Sequence, residues 1–377
     1  MEEVLVDKNN LSQAEKNRSC NIFLIILLLA FLFLSIIFII LYAIEKNKKK
    51  EKKTNPDNYN PLSLWEDCDS KNKILDYIKE ITSEKSVNFI PKSDRIAVFD
   101  MDGTIFQETD PTYCDLKLFV YRVLNDTNYT ATDDQIDLAY QILNNTMSYN
   151  DGGRSDRIYA EIYKDMTIED LFKYIKNFLN QDSDGYIGMK RGDAFYKPML
   201  ELIEYLQKND FIIYIVTATE RFTSRAIIEG HLNIPTSHII GTETKIVANN
   251  QNSTDSVDYI FQKNDILIFN GTFISKNSNL NKVLYILKEI GKVPILSFGN
   301  SNSDSSMANF VVGAKNYKRM SFMVLCDDTV RENGNIDKAK SMEKSCEDND
   351  WVPISMKNDW KTIYGDNVKR KDINSEI

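Results

Sequence analysis

Histidine is almost missing from this chain: His231 and His238 are the only two in 377 residues. That scarcity all but excludes a histidine-built metal centre or a Ser-His nucleophile. Cysteine is sparse too. Five cysteines are too few for a disulfide scaffold, and no C-x-x-C pair marks a zinc site. Net positive charge is also lacking. A formal charge of -9 argues against a nucleic-acid partner, because such binding rests on clustered Lys and Arg neutralising phosphates. What remains is the composition of a folded protein: 42% hydrophobic and 27% charged residues lie far from the regime of disorder.

One long apolar run stands near the N-terminus. From Ile22 to Ile44 no residue is charged, and only Ser35 and Tyr42 carry polar groups. At about 1.5 Å per residue this run reaches roughly 34 Å, enough to cross a bilayer core of about 30 Å. It is longer than a signal-peptide core of about 7–15 residues, and no A-x-A-like site follows. The sequence therefore predicts an N-terminal tail over 1–21, a transmembrane helix over 22–44 and a Lys/Asn-rich linker over 45–61. Residues 62–377 are expected to fold as one unit.

Within that unit, short apolar runs have the character of strands buried on both faces. They are Ile96 to Phe99, Phe211 to Val216, Ile295 to Phe298 and Phe322 to Leu325. Helical periodicity fills the intervals, over Tyr196 to Gln207 and over Leu280 to Ile290. In the second of these, Leu280, Val283, Leu284, Leu287 and Ile290 form the apolar stripe. Strand-helix-strand alternation predicts a Rossmann-like α/β fold with a parallel sheet and chemistry at the strands' carboxyl ends. About 110 residues separate the first two strands, far more than a crossover helix needs. This insert reads as a helical cap over approximately 108–192, with a capping box from Thr167 and Asp170 opening one helix. Val257 to Ile274 carries two extended runs around Lys263-Asn264-Asp265 and is expected to form a β-hairpin. No internal repeat is present.

The first strand ends in Asp100-Met101-Asp102-Gly103-Thr104. Two carboxylates two residues apart on a continued strand would face one side and repel; a cation resolves that. The second strand ends in Thr217, a hydroxyl placed where a phosphate oxygen can be held. Lys282 opens the helix that leads back to the strand at Ile295 to Phe298, and that strand runs into Asn300 to Asp304, a small oxygen-rich loop suited to a hard cation. Each piece alone has an ordinary explanation as a turn, a strand-end hydroxyl or a solvated lysine. In this order they supply a nucleophile, a phosphate hydroxyl, a charge partner and a metal loop, the parts that phosphoryl transfer needs.

These four segments resemble, in order, the motifs of the haloacid dehalogenase superfamily. The resemblance extends from about Trp65 to Tyr364. It is nearest to the acid-phosphatase-like, often exported hydrolases of bacteria, through Phe89-Ile90-Pro91, Arg95 to Asp100, Gly299-Asn300-Ser301, Asp327-Asp328 and Arg331 to Gly334. Phosphoserine and phosphorylcholine phosphatases are more distant. The resemblance implies Mg²⁺-dependent hydrolysis of a small phosphorylated metabolite. Asp100 would be the nucleophile, forming an aspartyl-phosphate, and Asp102 the acid and base. Thr217 and Lys282 would hold the phosphoryl oxygens, with Lys276 as the alternative lysine. Mg²⁺ would sit on Asp100, the Asp102 carbonyl and Asn300, with Asp304 direct or through water. Most phosphatases of the superfamily have Asp where this chain has Asn300, which lowers the charge offered to the metal.

Two other functions are weighed beside this one. A phosphotransferase or mutase on the same fold differs in how it handles the leaving group. A catalytically silent membrane scaffold is disfavoured by the presence of both Asp100 and Asp102. Candidate substrate contacts are Glu108, Arg154, Arg157 and Arg221, with Arg225 nearby. The cap has no tryptophan, so a Trp-lined cage for a quaternary ammonium is not expected. On membrane side the signals conflict. Six lysines after the apolar run against three basic residues before it place the C-terminal unit in the cytoplasm. Cys68, Cys114, Cys326 and Cys346, sequons at Asn125, Asn128 and Asn252, and the exported relatives favour an extracytoplasmic unit, the side expected here.

Overall fold

The computed structural model describes residues 60–371 except Pro111, Tyr149 and Asn150, together with Phe33, Ser35 to Ile39 and Tyr42. The chain divides into two units, Met1–Pro61 and Leu62–Ile377. In the first unit Phe33, Ser35 to Ile39 and Tyr42 are helical and exposed. Among the described residues no helix is long and apolar enough to cross a membrane. The tail over 1–21 and most of the span over 22–44 and of the linker over 45–61 lie outside them.

In the second unit, α1 (Asp69–Thr82) precedes β1 (Ile96–Phe99). Then come four helices: α2 (Cys114–Leu124), α3 (Asp133–Leu143), α4 (Arg154–Glu161) and α5 (Ile168–Leu179). A short β2 (Tyr186–Ile187), α6 (Lys197–Lys208), β3 (Ile212–Glu220), α7 (Arg221–Ile228), β4 (Ile239–Ala248) and β5 (Leu267–Ser275) follow. The chain ends through α8 (Leu280–Tyr285), β6 (Leu296–Gly299), α9 (Ser305–Gly313), β7 (Met320–Leu325), α10 (Ile336–Asn349), β8 (Val352–Ser355) and β9 (Lys369–Arg370).

Seven strands form one sheet in the order β5-β4-β3-β1-β6-β7-β8, parallel throughout except for β5, which runs antiparallel to β4. All four residues of β1 are buried, as a central strand covered on both faces requires. Its last residue anchors an aromatic ladder: Phe99 stacks on Phe298 at 4.3 Å and Phe298 on Phe322 at 5.0 Å, tying β1, β6 and β7 together. Because β1 pairs with β3 at Phe99↔Ile215 and with β6 at Phe99↔Phe298, the loops after these three strands leave the sheet side by side.

The helical insert leaves the core beside Gln107 and returns at Ala194. Its two ends are clamped, Gln107 N donating to Ala194 O at 2.8 Å and Tyr196 N to Ile105 O at 2.9 Å. Two further ties hold it. Asp165 N and the Met166 carbonyl bond Phe269 of β5, and β9 pairs antiparallel with β2.

Two expectations are corrected. Residues 257–274 are not a hairpin: only the second run is a strand, and its partner is β4. Asp265 accepts bonds from Gln262 N, the Tyr259 hydroxyl and the Asn250 amide, which closes the intervening stretch into a loop. The apolar stripe expected over Leu280 to Ile290 is also only partly buried: α8 is turned so that Lys282 and Val283 are buried while Leu280 and Leu284 are exposed, as is Leu287 past its end. The ion pairs of Lys282 decide that rotation.

Candidate active site

Asp100 follows β1 directly, its N–H bonded to Phe298 O of β6 at 2.9 Å. Lys282, in the first turn of α8, places Nζ 2.6 Å from Asp100 Oδ1 and 2.6 Å from Asp304 Oδ1. The lysine is fully buried, so its charge is tolerable only because two carboxylates meet it. The other oxygen of Asp304 accepts the N–H groups of Asn300 and Ser301 at 3.0 and 3.1 Å and the Ser301 hydroxyl at 3.2 Å. Asp304 thus shapes the loop after β6 and positions Lys282. With both oxygens occupied, it is a poor direct ligand for a metal.

Burial, then the neighbouring Asp304, pushes the Asp100 carboxyl up to about 7 despite Lys282. Burial alone would lower Lys282, but Asp100 and Asp304 raise it to about 12. The ammonium is therefore permanent at neutral pH. Asp102 lies two residues on, its Oδ2 accepting the Thr219 hydroxyl at 2.7 Å. Burial, with Asp115 and Asp100 adding negative charge, raises Asp102 well above the usual carboxyl range. Two neighbouring acids are thereby told apart: one is bound to a fixed cation, and the other is raised with no cation against it.

Thr217, buried at the end of β3, accepts the Thr219 N–H at 3.1 Å through its hydroxyl oxygen, which leaves the hydroxyl proton free to donate. Gly103 is needed for two reasons. Its φ is +78°, and a Cβ there would stand 1.9 Å from Asn300 Nδ2. The glycine thus lets the loops after β1 and β6 approach each other. Asn300 itself is buried, and its Nδ2 has no hydrogen-bond partner. A half-turn of the amide brings the oxygen to that place, the orientation a cation would select. This orphaned amide beside the acids fits a divalent ion better than an apolar filling. Among the described residues no three His, Cys, Asp or Glu side chains converge on a metal site. An ion here would rest on Asp100, the Asp102 carbonyl and the Asn300 amide.

The remaining candidates lie apart from this cluster. Lys276 bonds Asp156 of α4 at 2.7 Å rather than Asp100. Glu108 is buried against Lys338 and accepts the Tyr113 hydroxyl at 2.9 Å. Arg154 pairs with Asp134 at 2.8 Å, and Arg157 is exposed, bonding the Gly152 carbonyl. Arg221, expected as a substrate contact, is held by Glu243 and by Glu289 at 2.6 Å, which leaves its guanidinium no free edge. Sequence reasoning missed Thr219, although its spacing of two from Thr217 on a strand puts both on one face. It also missed Asp115, which the fold of the insert brings towards Asp102. No local pattern signals that approach.

Residues 97–258 match the family model described as haloacid dehalogenase-like hydrolase. Over these residues the chain is similar to a haloacid dehalogenase-like hydrolase domain. No curated protein matches it. Among solved structures, it is similar to a functionally unknown protein from Anaerococcus prevotii at 13% identity and TM-score 0.47, covering 79% of this chain and 94% of that one. A protein of unknown function from Bordetella pertussis aligns at 12% identity and TM-score 0.45, over 69% of this chain and 97% of that one. A phosphoserine phosphohydrolase-like protein from Francisella tularensis aligns at 14% identity and TM-score 0.36, over 66% and 92%. The hydrolase match spans β1, the insert and β3, and so includes Asp100, Asp102 and Thr217; Lys282, Asn300 and Asp304 lie beyond it.

Proposed function

We propose that this protein hydrolyses a small phosphate monoester with the help of Mg²⁺, through an aspartyl-phosphate on Asp100. The observation that carries the proposal is the buried Asp100–Lys282–Asp304 chain beside a second buried acid, Asp102, held by the Thr219 hydroxyl. Asp100 attacks phosphorus in line with the leaving oxygen, and the P–O bond to the alcohol breaks as the Asp100–P bond forms. Asp102 delivers its proton to that alcohol oxygen. It then takes a proton from the water that attacks the aspartyl-phosphate, releasing phosphate and restoring both acids. Thr219 fixes the Asp102 carboxyl so that one oxygen faces the leaving group. Thr217 and Lys282 donate to the phosphoryl oxygens. When bound, the metal would offset the negative charge of the phosphoryl group.

Residues 22–44 are proposed to anchor the chain in a bilayer, with the enzyme unit on the extracytoplasmic side. Protease added to sealed vesicles tests the side; digestion only after detergent contradicts it. The activity is tested with a panel of phosphomonoesters, with EDTA and with added Mg²⁺. Release of inorganic phosphate that EDTA abolishes and Mg²⁺ restores supports the proposal. Transfer of the phosphoryl group to an added alcohol in place of water would identify a phosphotransferase instead.

A further inference from the structure

The antiparallel pair β4–β5 is an arm. Pairing of β4 with β3 ends at Thr242↔Glu220, whereas pairing with β5 continues to Ala248↔Leu267. At about 3.3 Å per residue the arm runs roughly 20 Å past the sheet. Its tip, residues 249–266, is ordered by its own polar groups. Asp265 binds Asn250, Tyr259 and Gln262, and the Gln251 side chain donates to Thr254 O and Ser256 Oγ while accepting from Ala248 N.

This ordered tip holds large apolar side chains in water: Val257 is 86% exposed, Ile260 78%, Phe261 55% and Ile266 53%. The outer edge of β5 does not compete for the same partner, since Asp165 and Met166 of the insert already pair with it at Phe269. An ordered loop that keeps its apolar residues outward is an interaction surface. The rest of the chain indicates what covers it. The charge-free run at 22–44 lies before a linker over 45–61, which at about 3.5 Å per residue reaches no more than roughly 60 Å. A unit tethered so closely meets the bilayer at high effective concentration, where even a few apolar side chains suffice for binding.

We propose that the tip of the β4–β5 arm, through Val257, Ile260, Phe261 and Ile266, inserts into the surface of the bilayer in which residues 22–44 are anchored. This proposal rests on the anchor reading above. The test reconstitutes the full chain in vesicles whose acyl chains carry bromine, a short-range quencher of tryptophan. Phe261→Trp is compared with Val87→Trp, at a site 99% exposed. Insertion predicts severalfold stronger quenching at position 261. Equal quenching at the two sites, with the chain retained on the vesicles, overturns the proposal. So does concentration-dependent energy transfer between labelled tips without lipid quenching, which assigns the surface to a second copy. A chain that separates from the vesicles altogether overturns the anchor as well, and is distinguished by that loss. The variant Ile260→Ser/Phe261→Ser should lose the reduced proteolysis of the tip that vesicles confer while hydrolysing a soluble phosphomonoester at the parent rate.

Discussion

Two buried carboxyl groups in this protein are raised to about the same point by burial, in different surroundings. Asp100 and Glu332 are each pushed up to about 7, chiefly by burial. Around Asp100 the neighbours are a buried ammonium, a second carboxylate and the loops after three strands. Around Glu332 they are two tyrosine hydroxyls: Tyr186 at 3.0 Å and Tyr364, in the seam where β9 and the segment before it hold the insert. A raised carboxyl is therefore not by itself a mark of catalysis. What sets Asp100 apart is a fixed cation and a second acid, two residues away, that burial and neighbouring carboxylates also raise. The Glu332 carboxylate is met instead by the two tyrosine hydroxyls, and its work is to hold the seam.

The largest expected effect lies at the first region. Asp100→Asn and Asp102→Asn should each lower kcat by at least about a thousandfold, because each acts in the chemical step. The melting temperature should change little in Asp102→Asn, whereas Asp100→Asn removes one of the two carboxylates that meet buried Lys282 and should lower it. Retained hydrolysis of an aryl phosphate by Asp100→Asn would erase the distinction between the two regions.

Lys282→Ala comes next, and it acts on stability as well as activity. It leaves Asp100 and Asp304 buried without their cation, a loss of about 3–5 kcal/mol in urea unfolding. A loss below about 1 kcal/mol would mean the ammonium is solvated rather than buried.

At the second region the expected effect is on pH dependence alone. The folded state raises Glu332 from 4.5 to about 7, so folding retains a proton that the unfolded chain gives up. Its contribution is fully present below pH 4.5 and is lost as pH rises through about 7. Glu332→Gln should flatten that decline, worth on the order of 3 kcal/mol, in unfolding measured from pH 4.5 to 8, with kcat unchanged. An activity loss matching that of Asp100→Asn would place Glu332 in the chemistry.

The smallest effect sharpens the first region. Asn300→Asp adds a carboxylate where the orphaned amide stands and should lower the half-saturating Mg²⁺ concentration severalfold. An unchanged value would put Asn300 out of contact with the ion.

The strands were legible because a central parallel strand must be apolar on both faces, and Ile96 to Phe99 and Ile295 to Phe298 are unbroken apolar runs. Asp100, Asp102, Asn300 and Asp304 were legible because each lies just past such a run. Lys282 stood out only through its place ahead of β6; periodicity pointed the wrong way, since the ion pairs and not the leucines orient α8. The arm was misjudged because Val257, Ile260 and Phe261 have the composition of a strand, while the turn-forming bonds to Asp265 are long-range within the loop. Substrate contacts were least legible of all. Arg221 has two acidic partners that come from β4 and from the turn after α8, and no local sequence shows such a meeting.

The central claim is that the Asp100 carboxylate becomes covalently bound to phosphorus. Single-turnover hydrolysis with enzyme in excess, stopped by acid and followed by digestion and mass spectrometry, tests it most directly, because the intermediate is caught before water cleaves it. Acid quenching during turnover should therefore yield a peptide containing Asp100 heavier by one phosphoryl group, and absent from Asp100→Asn. Full phosphate release with no phosphorylated Asp100 peptide at any quench time, in an Asp102→Asn enzyme given an aryl phosphate whose leaving group needs no proton, so that the second step is the slowed one, would contradict the account.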